Sequence, residues 1–118
     1  MARLTKNFKR EEFSCKCGCG YNTADFDLVN ICQEIADHFE DVVNITSGCR
    51  CHGHNKAVGG SANSQHLLGR AADLKLKHTD PEEVQEYLTS QYPDSLGIGK
   101  YNTFTHIDTR DDIARWEG

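Results

Sequence analysis

Ser64-Gln65-His66-Leu67-Leu68-Gly69-Arg70-Ala71-Ala72-Asp73 sets a histidine and an aspartate seven residues apart. On a continuous helix the two would stand roughly 10 Å apart along the axis, too far to share one metal ion. Gly69 offers a turn between them, and Asp73-Leu74-Lys75-Leu76-Lys77 alternates as a strand does. A loop and a strand could therefore bring His66 and Asp73 to one point. A second stretch, Phe104-Thr105-His106-Ile107-Asp108, also reads as a strand: Phe104, His106 and Asp108 fall on one face, Thr105, Ile107 and Thr109 on the other. If the two strands share a sheet, His66, Asp73 and His106 form a three-ligand set. Two imidazoles and a carboxylate with an open fourth position suit a hydrolytic zinc ion, whose open position holds the water it activates.

Working outward, Met1 to Arg10 is polar and basic, with Phe8 and Phe13 as anchors and a short helical turn near Lys9 to Phe13. From Asp25 or Asp27 to Glu40 the apolar residues Leu28, Ile31, Cys32, Ile35 and Phe39 recur at three and four, which predicts a helix with one buried face. Cys32 is then a small core residue, and His38, near the helix C-terminus, is structural. Val42 to Thr46 reads as a strand running into Ser47-Gly48. The next segment, Cys49 to Gln65, reads as a long loop, and loops of that length in small domains usually carry function. Past the strand that begins at Asp73, Thr79 or Asp80 caps a helix with Pro81 in its first turn, which stops before Pro93. Gly97-Ile98-Gly99 opens the strand pair that delivers His106. Trp116, in the tail, either packs on the body or lies exposed. No repeat or low-complexity linker interrupts the chain.

The 118 residues, 37% of them hydrophobic, suit one small domain over residues 1–118 with a modest core, so a metal or disulfide would matter to its stability. A formal charge of -5 argues against nucleic acid, which calls for a clustered basic face. Residues 1–20 hold no signal-peptide core and no stretch approaches a membrane span, which points to a chain made in the cytoplasm or trimmed elsewhere. Six cysteines, Cys15, Cys17, Cys19, Cys32, Cys49 and Cys51, leave the compartment open. Cys15 to Gly20 reads as a loop held by something. Its two-residue spacing is poor for wrapping one zinc, so a disulfide to Cys49 or Cys51 is preferred, with free or metal-bound thiols as the alternative.

The S-x-H-x-x-G-x-A-x-D pattern at Ser64, His66, Gly69, Ala71 and Asp73, followed by His106, resembles the M15 family of zinc D,D-peptidases. The likeness extends upstream through Ile45 to Arg50 and His54 to Gly60, and downstream through Gly97 to Tyr101 and on to Arg110. That family includes D-alanyl-D-alanine carboxypeptidases and phage L-alanyl-D-glutamate endolysins, and has a distant fold relationship to the hedgehog signalling domain. The resemblance implies one catalytic zinc held by His66, Asp73 and His106, and Arg50 meeting the substrate's carboxylate or polarised carbonyl.

Ser64 either bonds substrate or caps the turn. Relatives carry an acid three residues before the last histidine, or a second histidine two before it, to accept a proton; Thr103 and Phe104 stand there and cannot serve. Asp108 is then the proton acceptor or, equally, the carboxylate that fixes an imidazole tautomer; His52 and His54 are the other candidates. Tyr101 could donate to a developing oxyanion.

These readings predict an α+β fold: a small antiparallel sheet with the metal site on its concave face and two main helices packed on the other side. The expected function is zinc-dependent hydrolysis of the peptidoglycan stem peptide, at D-Ala-D-Ala or L-Ala-D-Glu, by a monomer acting on the cell wall as phage lysis enzymes do. The alternative is a non-catalytic zinc-binding or peptidoglycan-binding module on the same fold.

Overall fold

Two antiparallel strands, Ala71–Leu76 and Thr105–Asp108, bring the decisive stretches side by side, with Asp73 directly opposite His106. The computed structural model describes residues 4–118. In chain order the elements are α1 (Phe26–Phe39), β1 (Val43–Ser47), α2 (His52–Ala57), β2 (Ala71–Leu76), α3 (Pro81–Gln91), β3 (Gly97–Lys100), β4 (Thr105–Asp108) and β5 (Ala114–Glu117). Short 3-10 turns lie at Arg10–Phe13 and Gln65–Leu68. Phe8 and Phe13 anchor the first of these as expected, each 1% exposed, while residues 1–3 of the polar N-terminal stretch lie outside the described residues.

The five strands form one sheet in the order β1-β2-β4-β3-β5. Alternation along the strands sorts the two faces. Ala72, Leu74 and Leu76 of β2 and Ile107 of β4 join the core, whereas Asp73, His106 and Asp108 project from the other face. Leu28, Ile31, Cys32 and Ile35 of α1 and Val84 and Leu88 of α3 pack on the core face. Burying one such side chain fully, as at Ile35, contributes about 1.5–3 kcal/mol. Both main helices thus lie behind the sheet, leaving the opposite face to the polar residues.

Local chemistry explains the helix ends. Asp25 holds extended backbone before α1, and Glu40 closes it in the left-handed region at φ 48°. Asp80 precedes α3 with Pro81 inside its first turn, and the helix ends ahead of Pro93. His38 is structural: its ring stacks on Tyr87 at 3.9 Å and joins α1 to α3.

Three expectations change. The sheet is mixed, because β5 runs parallel to β3. The slots on both sides of β4 are filled by β2 and β3, so the chain leaving β4 crosses the end of β3 and reverses along its outer edge. β2 starts at Ala71 rather than at Asp73, which puts Asp73 in mid-strand with a neighbour on each side. The segment Cys49 to Gln65 is also not bare loop, since α2 lies within it.

Candidate metal centre

His66 sits on the 3-10 turn, Asp73 on β2 and His106 on β4, all three buried. Gly69, left-handed at φ 68°, lets the chain swing from the turn into β2. His66 Nε2 stands 3.3 Å from Asp73 Oδ1, and His106 Nδ1 stands 2.9 Å from the same oxygen. One ligand atom from each residue lies within 4.8 Å of the other two.

The outer bonds of the two rings decide their tautomers. His66 Nδ1 is 2.6 Å from the carbonyl oxygen of Gly48, which can only accept, so Nδ1 carries the proton and Nε2 keeps its lone pair. His106 Nε2 is 2.7 Å from Asp108 Oδ2 and donates to it, which leaves the Nδ1 lone pair facing Asp73. Two lone pairs and an anionic oxygen thus converge. That arrangement repels itself unless a cation sits among them, and the short separations suit the edges of a zinc tetrahedron with bonds of about 2.0–2.1 Å. The donor set therefore fits zinc.

Where no cation lies among them, ring protons take its place and bind Asp73. Burial alone would raise the Asp73 carboxyl, but hydrogen bonds and charge from His106 and His66 outweigh it and hold the group well below the usual carboxylate range. Asp108 is fully buried and would also be raised, yet the Arg110 guanidinium and His106 pull it far down. Arg110 binds it in a fork, Nε to Oδ1 and Nη2 to Oδ2, each at 2.7 Å. Burial lowers His106, and its bonds to Asp108 and Asp73 more than reverse this and raise it.

Around the three ligands the predicted residues are placed as follows. Arg50 reaches Asp73 Oδ2 at 3.5 Å while its Nε donates to Ser47 Oγ and its Nη1 to Asn55 Oδ1, each at 3.2 Å. Ser64 caps the turn, its Oγ accepting from the His66 N–H at 3.2 Å. Tyr101 stacks on Phe104, and its hydroxyl accepts from Trp116 Nε1 at 3.0 Å. His54 lies half-buried on α2 and is not among the clustered ligand atoms. Asp108 meets His106 on the ring edge opposite Asp73, and both its oxygens accept from Arg110.

Two neighbours had no assigned role in the sequence reading. Trp116 packs 5.0 Å from the His106 ring, and the Arg110 guanidinium lies 5.1 Å over the same indole. Gly97 and Gly99 of β3 make room for these groups: a Cβ would come within 2.4 Å of the Asp108 carboxylate at Gly97 and within 2.6 Å of the Trp116 indole at Gly99. Arg110 was within reach of sequence reasoning, since H-x-D-x-R alternation puts it on the ligand face. Trp116 was not, because its place depends on β5.

The cysteines also differ from expectation. All six are free thiols, and Cys15 and Cys51 lie 3.8 Å apart, well beyond a disulfide bond of about 2.05 Å. Cys49 instead aims its thiol at the Tyr21 carbonyl, 3.1 Å away. Its amide does separate work. The Cys49 N–H donates to Phe13 O at 2.9 Å, and Gly48 packs so closely on Phe13 that a Cβ would meet that oxygen at 2.4 Å.

A buried pair of tautomer-fixed imidazoles with one carboxylate, on the open face of an α+β sheet, has the make-up of a metallopeptidase centre. The chain belongs to the Peptidase M15 family, whose model matches residues 6–108, and peptidases of this family depend on zinc. No curated protein matches the chain.

Proposed function

We propose that the protein hydrolyses a peptide bond of the bacterial peptidoglycan stem peptide, D-Ala-D-Ala or L-Ala-D-Glu, as a phage- or prophage-type lysis enzyme acting on the cell wall as a monomer. The observation that carries this reading is the convergence of His66 Nε2, His106 Nδ1 and Asp73 Oδ1 beside the Arg50 guanidinium. A zinc ion held by these three residues supplies Lewis acidity, polarising a scissile carbonyl and acidifying water. Arg50 uses three of its five N–H groups on Ser47, Asn55 and Asp73, which leaves two for a substrate carboxylate or carbonyl. Tyr101, whose oxygen accepts from Trp116, still has its own proton to donate to an oxyanion. The Ser64 hydroxyl is similarly free to donate while it caps the turn.

His54 is the residue we assign to proton transfer. It directly precedes Asn55, which binds Arg50, and its imidazole is uncommitted to any hydrogen bond with the described residues. Asp108 is assigned to positioning: it holds His106 in the tautomer that presents Nδ1.

The test is to incubate zinc-loaded protein with purified peptidoglycan and weigh the released fragments, beside a chelated control. Loss of a terminal alanine identifies a carboxypeptidase, and new amino termini on D-Glu identify an endolysin. A second reading, a non-catalytic zinc- or peptidoglycan-binding module, is favoured by one observation: among the described residues, Asp73 is the sole carboxylate in the ligand cluster. Saturable binding to sacculi without release of new amino groups would establish it.

A further inference from the structure

Outside the His66, Asp73 and His106 set, four thiols gather around one point. Cys15, Cys17 and Cys19 come from the loop after the first 3-10 turn, and Cys51 comes from the residue that follows Arg50. Their sulfurs all lie within 4.8 Å of one another. Three of the separations are measured: Cys15 to Cys17 is 3.4 Å, Cys17 to Cys51 is 3.7 Å and Cys15 to Cys51 is 3.8 Å. Four thiolates about 2.3 Å from a tetrahedral zinc stand about 3.8 Å from each other along every edge. Thiols packed for burial alone have no reason to meet in fours at that spacing, and a disulfide would draw one pair to about 2.05 Å and push the others off.

We propose that Cys15, Cys17, Cys19 and Cys51 bind a second, structural zinc ion, separate from the one at His66, Asp73 and His106. The tight Cys-x-Cys-x-Cys spacing is accommodated by backbone shape. A turn closed by the Gly18 N–H on Cys15 O, at 3.3 Å, brings Cys17 round beside Cys15. Gly18 and Gly20, at φ 83° and 92°, then curl the chain back so that Cys19 faces the same point.

Amide donors already surround the sulfurs, as they do around zinc thiolates. The Cys51 N–H points at Cys15 Sγ at 3.5 Å, and the His54 N–H points at Cys51 Sγ at 3.4 Å. On binding, each thiol passes its proton to solvent, so four protons leave and the site carries a net charge of two minus. All four coordination positions are then filled by protein, which is the arrangement of a structural site with no place for substrate. The ion would tie the N-terminal segment to the loop that presents Arg50. Cys32, in the core, and Cys49, turned to Tyr21, take no part.

The test is metal analysis of the full chain expressed with zinc, followed by cobalt(II) exchange. The wild type is expected to hold two zinc ions per chain and to give the sulfur-to-cobalt charge-transfer absorption of tetrahedral thiolate cobalt. His66→Ala should keep one metal and that absorption. The double variant Cys17→Ser/Cys19→Ser, whose sites are exposed, should keep one metal and lose the absorption. Wild-type protein with one zinc and no charge-transfer band would overturn the proposal, as would a native mass two hydrogens low from a disulfide within this set. Neither result bears on hydrolysis at the histidine site, which the fragment assay reads separately.

Discussion

His106 Nε2 lies 2.7 Å from Asp108 Oδ2, across the imidazole from Asp73, and Asp108 is itself gripped by both arms of Arg110. A zinc ion held by His106 would therefore feel the carboxylate through the ring. Asp108→Asn should lower zinc affinity by about 10–100-fold, the usual cost of losing such a partner, with activity restored by excess zinc. Chelator competition alongside kinetics measures both. Unchanged zinc affinity with abolished turnover would instead make Asp108 the proton acceptor.

His66→Ala or Asp73→Ala should remove the zinc of this site and reduce hydrolysis to the level of the chelated control. Each removes one of the three donors that cluster there among the described residues. A variant of either residue that keeps full activity sinks the assignment.

Arg50→Lys keeps the charge and loses the planar fork that spans Ser47, Asn55 and Asp73. A charge-assisted hydrogen bond is worth about 1.5–3 kcal/mol, so kcat/KM should fall by about 10–100-fold. An effect under two-fold on stem-peptide fragments would show that the guanidinium does not meet substrate.

The metal-free protein should be most stable in a window at mildly acidic pH. Asp73 and Asp108 are held below their unfolded range, so their contribution is present above about pH 4 and is lost as pH falls through their depressed folded values. His106 is raised, so its contribution is complete below about pH 6.5 and is lost as pH rises through its folded value. Zinc requires the neutral ring and should erase the alkaline decline. Melting temperature against pH, with chelator and with zinc, reads both limbs; an alkaline decline that persists with zinc bound would contradict this account.

His38→Ala offers the opposite control. Loss of the stack on Tyr87 should cost about 0.5–1.5 kcal/mol of stability, seen in urea unfolding, with kcat unchanged.

The clustering of the candidate ligands was legible because its signals are local. Period-two alternation placed His106 and Asp108 on one face, and Gly69 announced the turn that separates His66 from Asp73. Helix α1 was equally plain from its three-and-four spacing. What escaped depends on contacts between distant segments. The parallel edge strand has only four residues, Ala114 to Glu117, too few to show a pattern, and its partner β3 lies across an intervening reversal. The surroundings of Asp108 depend on Arg110 and on the room left by Gly97, a relation between neighbouring strands. The loop cysteines were left between a disulfide to Cys49 or Cys51 and free or metal-bound thiols, because spacing in sequence says little about a loop that glycines fold back on itself.

One peptide unit, between Gly48 and Cys49, faces both ways: its N–H is held by Phe13 O and its C=O receives the His66 proton. Hydrogen bonds at the two ends of an amide polarise each other. The carbonyl of Phe13 therefore draws charge through that amide, makes the Gly48 oxygen a stronger acceptor and so enriches the electron density at His66 Nε2. Electronically, the 3-10 turn that ends at Phe13 is linked through this one amide to the His66 ring.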